Sequence, residues 1–196
     1  AWTNRNFVMK SYHIVKNKTL EIGGNVSNIK LASPTPVSTA DWQTFSNVAY
    51  RYSVKYPKNW VYFQWRATAV DSTNDAYRET VGFDQGPKGN ARIGGDIKIS
   101  TYTQSFEATV ADIKSQTSIT NGPNKLEEEI NINLSGINYR KLTYTRFIPE
   151  PENYRPDDHQ IYYIANNGNF SYVISMHPYR KYQAIDEEIL ESFQFK

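Results

Sequence analysis

The sequence contains no cysteine and only three histidines among its 196 residues. The absence of cysteine excludes disulfide scaffolds, cysteine nucleophiles and zinc sites built on thiolates. The three histidines lie far apart in the sequence, which makes most metal-dependent enzymes a poor fit. No run approaches the roughly 18 consecutive apolar residues of a membrane-spanning helix, so the sequence predicts no such helix.

A strong net charge is also missing. The 22 basic and 20 acidic side chains leave a net charge of +2, which gives no reason to expect a nucleic-acid partner. Mean hydropathy is low, at −0.66, yet 4 Trp, 15 Tyr and 9 Phe supply large apolar side chains for a core. The length suits one domain with room for an extension.

The chain divides into unequal parts. Residues 32–40 carry no charge, no large side chain and two prolines, which is typical of an extended linker. Residues 1–31, the N-terminal arm, carry five basic side chains against Glu21 alone, a balance of +4. Residues 41–196 form the predicted domain and hold 17 basic and 19 acidic side chains, a balance of −2. Opposite signs favour docking of one part on the other, within a chain or between chains.

The N-terminal arm has the composition of β-strands. Residues 7–15 and 19–22 are β-prone runs, and Asn17-Lys18 between them is a turn candidate. Strands this short need another sheet to pair with, because isolated two-stranded hairpins are marginal in water. Three interpretations follow: an extension packed on its own domain, a strand donated to a neighbouring subunit, or the remnant of a stalk.

From Trp42 onward the pattern is mainly that of β-strands. Turns are predicted at Gly86-Pro87, Ser135-Gly136 and Asn167-Gly168, and the last of these is a strong hairpin signal. Strands are predicted at residues 42–45, 50–56, 60–65, 80–83, 97–103, 126–134, 137–147, 161–165 and 170–176.

Two segments have helical spacing instead. One is Ser105–Ser115, with Ser105 as the N-cap. The other is Asp186–Phe193, which begins with acids suited to a helix N-terminus and buries Ile189, Leu190 and Phe193. Hairpins with helices at intervals predict an α+β fold, in which helices flank a mainly antiparallel sheet.

Three segments together resemble one known family. They are an aromatic strand followed by Tyr-Pro, a short turn and Trp (Tyr52–Trp60), the hairpin Gln160–Ser175, and the closing stretch Ile189–Phe195. In this order and spacing they resemble the PsbP-like domain, a family that includes an extrinsic subunit of photosystem II and many exported bacterial relatives. The resemblance covers residues 41–196 and leaves the N-terminal arm unexplained.

The resemblance implies an α-β-α sandwich around an antiparallel sheet and a non-enzymatic role in assembly or binding. It brings no catalytic constellation, cofactor or metal site to carry over, and it does not imply photosynthesis. It also favours an extracytoplasmic location, secreted or at the cell surface. The start at Ala1 rather than methionine fits either a removed export signal or an engineered start. The expected partner is a protein, including copies of this chain bound through the N-terminal arm.

Other candidate residues have plainer explanations. Asp157-Asp158-His159 could chelate a divalent cation, but it lies in a polar, proline-flanked segment typical of a solvated loop. Glu127-Glu128-Glu129 could form an acid/base pair, but it alternates with apolar residues as a solvated strand edge does. His13 and His177 are expected to be surface or pairing residues. No Gly-x-Ser-x-Gly motif supports a hydrolase.

A ligand- or glycan-binding module of the cell envelope is the alternative function. Aromatic rings exposed to solvent stack on sugar faces, and the sequence is rich in tyrosine and tryptophan. The aromatics most expected to be exposed are Trp65, Tyr154, Tyr179 and Tyr182.

Overall fold

The structure is a computed structural model that describes residues 37–66, 75–84, 97–120, 124–145, 159–176 and 183–196. The chain divides into two units, Ala1–Pro36 and Val37–Lys196, and the described residues all belong to the second. The N-terminal arm and residues 32–36 of the linker lie outside the described residues. The expectations about the arm therefore stay predictions.

The strands of the described residues belong to two antiparallel sheets. In chain order they are β1 (Gln43–Asn47), β2 (Tyr52–Tyr56), β3 (Val61–Arg66), β4 (Tyr77–Asp84), β5 (Ile97–Tyr102), β6 (Lys125–Leu134), β7 (Ile137–Thr145), β8 (His159–Asn167), β9 (Phe170–Met176) and β10 (Gln194–Phe195). The small sheet has the order β1-β2-β10, and the large sheet has the order β3-β4-β5-β9-β8-β7-β6. Every pairing is antiparallel.

Two tight turns confirm the hairpins that the sequence predicts. Leu134 pairs with Ile137 across the turn between β6 and β7, where Ser135 has φ 50° and Gly136 has φ 86°. Two successive residues with positive φ are the mark of a type I′ turn, whose twist matches that of the strands. The β8–β9 hairpin turns at Gly168, with φ 64°.

Both predicted helices form. Helix α1 (Phe106–Thr120) begins after Ser105, whose Oγ accepts a hydrogen bond of 3.3 Å from the Ala108 N–H, as expected of an N-cap. The helix runs five residues beyond the predicted end at Ser115. Helix α2 (Gln183–Glu191) begins three residues before Asp186 and ends two before Phe193, which is nevertheless buried at 1% exposure.

The large sheet is packed on both faces. Helix α1 places Val110 and Ile113 against Leu142, Ile164 and Val173 on one face. The small sheet and α2 cover the other face, where their side chains join one core cluster with those of the large sheet. The α+β fold with a sandwiched antiparallel sheet is therefore confirmed. The separate small sheet is a feature that the sequence did not predict.

Residues of the three family-like segments meet in that core. The Trp60 N–H donates a hydrogen bond of 3.0 Å to the Pro57 carbonyl, and the Trp60 side chain is 3% exposed. The rings of Tyr52 and Phe193 stack with centroids 5.5 Å apart, and Tyr172 meets both edge-on. These aromatics join the two sheets and α2, so their role is structural.

Candidate functional site

Strand β6 lies at an edge of the large sheet. It is ten residues long, and among the described residues β7 is its one neighbour. Leu134 and Ile137 flank a two-residue turn, so their backbones form a hydrogen-bonded pair. Along an antiparallel ladder such pairs alternate with pairs that form no hydrogen bond to each other. The backbone N–H groups of Glu129, Asn131 and Asn133 therefore point away from β7. These N–H groups face the open side of β6, where a further strand could pair with it through backbone hydrogen bonds.

One face of β6 carries an apolar row, made of Ile130, Ile132 and Leu134. Ile130 is 38% exposed, and the other two are half-buried against the core cluster. The row therefore extends the core to the edge of the sheet without being fully covered. An added strand with apolar side chains at alternate positions would bury it further.

The opposite face of β6 carries a charge network. Glu129 accepts from Lys114 of α1 at 2.6 Å and from Arg140 of β7 at 2.7 Å. These hydrogen bonds, with the field of the two cations, hold the pKa of Glu129 below its ordinary value. The Arg140 guanidinium also lies 3.9 Å from the Glu107 carboxylate. These ion pairs connect α1 with β6 and β7 at the edge of the large sheet.

The first half of β6 is poorly suited to accept another strand. The ladder is irregular between Leu126 and Glu128. Glu127 accepts a hydrogen bond of 2.9 Å from Thr145, which with Lys125 at 3.3 Å lowers the pKa of its carboxyl. Bulges and charges of this kind protect natural edges from pairing. The uncharged second half, Ile130–Leu134, carries no such protection.

The three successive glutamates, Glu127 to Glu129, lie on the edge strand β6, as the sequence analysis predicted. Glu127 and Glu129 are exposed, while Glu128 is half-buried and pairs with Lys141 at 2.8 Å. Lys141 is only 4% exposed, so this ion pair is the most buried of those that the described residues form.

The other candidates from the sequence are only partly within the described residues. His159 opens β8 and is half-buried, whereas Asp157 and Asp158 lie outside. The described residues contain no group of three or more metal-ligating side chains. The expectation that Trp65 is exposed is wrong, because the residue is half-buried on β3 and packs edge-on against Phe63 at 4.7 Å. Also outside the described residues are His13, His177, Tyr154, Tyr179 and Tyr182.

A buried acid was missed by the sequence analysis. Glu79 on β4 is 1% exposed, and burial raises the pKa of its carboxyl. It accepts hydrogen bonds from the side chains of Gln64 and Asn47. A signal was available, because the alternation Glu79, Val81, Phe83 places the glutamate on the core face of β4.

Comparisons with known proteins identify the fold. The sequence matches no protein-family profile and no curated protein. Among solved structures, cyanobacterial PsbP (CyanoP) from Synechocystis sp. PCC 6803 matches with a TM-score of 0.50 and 14% identity. The match covers 85% of this chain and 99% of the cyanobacterial chain. The fold is PsbP-like. This confirms the architecture that the three sequence segments led us to expect.

Two further structures show weaker likeness to this PsbP-like chain. A protein from Bacteroides thetaiotaomicron matches with a TM-score of 0.46 and 12% identity, over 80% of this chain and 49% of its own. A Pseudomonas aeruginosa protein of unknown function matches with a TM-score of 0.37 and 12% identity, over 77% of this chain and 94% of its own. No helix in the described part of the PsbP-like unit is long and apolar enough to cross a membrane.

Proposed function

We propose that this protein is a non-enzymatic assembly module that accepts a β-strand at the second half of β6. The observation that carries the proposal is the coincidence of outward-facing backbone groups with a partly exposed apolar row at Ile130–Leu134. Strand addition satisfies the open backbone groups of an edge, and alternate side chains of the added strand supply the packing.

The occupant we propose is the N-terminal arm of a neighbouring copy, through residues 7–15. This run has high β-propensity and places apolar side chains such as Phe7 and Met9 at alternate positions. It contains no proline, so each of its residues can contribute an N–H to a ladder. The arm's balance of +4 and the balance of −2 over residues 41–196 favour the approach of one to the other.

We further propose that the protein acts outside the cytoplasm, secreted or at the cell surface. The support is the resemblance to exported PsbP-like domains together with the absence of cysteine. Protease treatment of intact source cells tests this location. Loss of the full-length protein, with a cytoplasmic marker left intact, is the expected result, and survival of both proteins contradicts it.

Light scattering of the purified protein tests the assembly proposal. We expect the full chain to have a mass above the 22.6 kDa of one copy, rising with concentration. Deletion of residues 1–31 should reduce the mass to that of a single copy. A peptide of residues 5–16 should then bind the shortened chain, because its acceptor edge is free. A full chain that stays a single copy at every concentration contradicts the proposal, and a melting temperature lowered by the deletion then indicates pairing within one chain.

A further inference from the structure

A polar groove lies under the second half of α1, on the face of the large sheet that this helix covers. Its volume is about 200 Å³. The sheet contributes Ser100 from β5, Ser175 from β9 and Gln160 from β8, and the helix contributes Gln116 and Thr117. The groove therefore has room for several water molecules or one small polar molecule.

The groove wall has unused hydrogen-bonding capacity. Within the described residues, the side chains of Ser175 and Gln160 form no hydrogen bond with the protein. Burial raises the pKa of Tyr102, which also lines the groove, to about 12, so its hydroxyl stays protonated at neutral pH. The described lining combines hydroxyl and amide groups with the apolar side chains of Ile113 and Val173, and it contains no carboxylate.

The ammonium group of Lys98 belongs to a residue next to this groove. Lys98 on β5 directly faces Ser175 on β9 and lies two residues before Ser100, so all three are on one face of the sheet. Lys98 is half-buried, and burial lowers the pKa of its ammonium group. No carboxylate of the described residues pairs with it. A half-buried ammonium that has no counter-charge among the described residues is stabilised by an anion brought beside it.

We propose that this groove binds a small hydroxylated carboxylate, of the size of a sugar acid. The carboxylate pairs with Lys98, and the hydroxyl groups bond with Ser175 and Gln160. The proposal concerns the α1 face of β5, β9 and β8, and it does not depend on strand addition at β6. A ligand of this class would supply the counter-charge that no described carboxylate gives to Lys98.

Titration of the full chain, labelled with ¹⁵N, tests this proposal by amide chemical shifts. The probes are glucuronate and glucose, which have the same ring but differ in the carboxylate, at matched ionic strength. We expect saturable shifts with glucuronate at Ser100, Thr117 and Ser175. Lys98→Met keeps the aliphatic stem and removes the charge, so it should weaken glucuronate binding about tenfold or more. Lys55→Met removes an exposed charge from the small sheet and should leave binding unchanged.

Several results would overturn the proposal. Glucuronate that causes no saturable shifts in the groove contradicts the site itself. Equal affinity for glucose and glucuronate, or an equal loss in the two lysine variants, contradicts the role of Lys98. Unchanged melting temperatures of Lys98→Met and Lys55→Met establish that each variant is folded, so that a loss of binding reports the contact.

Discussion

The side-chain amide of Asn47 donates a hydrogen bond to the buried carboxylate of Glu79, and so links the small sheet to the large one. Gln64 on β3 donates to the other carboxylate oxygen at 2.8 Å. The Asn47 side-chain oxygen meanwhile accepts the Tyr50 N–H at 3.1 Å, which fixes the orientation of its amide. One acid thus connects β1, β3 and β4. Such a cluster stabilises the fold only while every donor is present.

Substitution Asn47→Ala should lower the free energy of unfolding by about 2–3 kcal/mol, because it leaves a buried carboxylate short of one donor. Urea denaturation measures the change. Asn59→Ala is the matched control, since Asn59 is exposed in a turn, and it should change stability by no more than about 0.5 kcal/mol. Equal effects of the two substitutions would show that the Asn47–Glu79 contact contributes nothing.

Substitution Glu79→Gln should change the pH dependence of stability. Burial raises the pKa of Glu79, and the hydrogen bonds from Gln64 and Asn47 offset only part of that effect. A carboxyl whose pKa is raised in the folded state stabilises that state, and the full contribution is present when the pH is below the unfolded-state pKa. This contribution is lost as pH rises through the folded-state pKa.

The Glu79→Gln variant cannot ionise, so it should gain stability relative to the wild type as pH rises from about 4 to neutrality. Urea denaturation of both proteins across this range measures the difference. A difference that stays constant with pH, or that moves in favour of the wild type as pH rises, contradicts a raised pKa at Glu79.

Substitution Gly82→Ala should destabilise the protein by about 1–3 kcal/mol through overpacking. Gly82 faces Phe63 across the β3–β4 ladder, and a Cβ at position 82 would overlap the Phe63 ring. Removing the ring first, with Phe63→Ala, should reduce the cost of the glycine substitution. Thermal unfolding of the four proteins in this cycle measures the coupling. Equal costs in both backgrounds would show that the ring does not require glycine.

Substitution Ser135→Asn should stabilise the β6–β7 hairpin by about 0.5–1 kcal/mol. Ser135 has φ 50° in front of Gly136, and Asn-Gly is the preferred pair for this turn. Thermal unfolding measures the gain. Ser115→Asn makes the same change on the exposed surface of α1 and should bring no gain. A loss at position 135, or an equal gain at position 115, would contradict the turn assignment.

Much of the fold could be predicted because local patterns determine it. Alternation and turn residues predicted the strand from Phe170 to Met176 and both hairpins, and the 4-and-3 spacing from Phe106 to Ile113 predicted α1. The small sheet escaped prediction because β10 has two residues, too few for a period, and pairs with β2 some 140 positions earlier.

The functional surfaces were less accessible to sequence analysis. The groove unites Ser100, Gln160 and Ser175 through the order of β5, β9 and β8 in the sheet, which no local pattern encodes. The β6 edge could be recognised as a solvated strand from Glu127 to Glu129. Its outward-facing backbone groups follow only from the register of the hairpin at Leu134 and Ile137.

The most direct test of strand addition is the mass in solution of the full chain with Asn131 and Asn133 both changed to proline. Both N–H groups point away from β7, so the prolines remove donors from the open edge and leave the β6–β7 ladder intact. The variant with alanine at both positions loses the same side chains but keeps the donors. We predict that the proline variant is a single copy of 22.6 kDa while the alanine variant assembles like the wild type. Assembly of the proline variant to the wild-type mass, with circular dichroism showing it folded, would contradict the account.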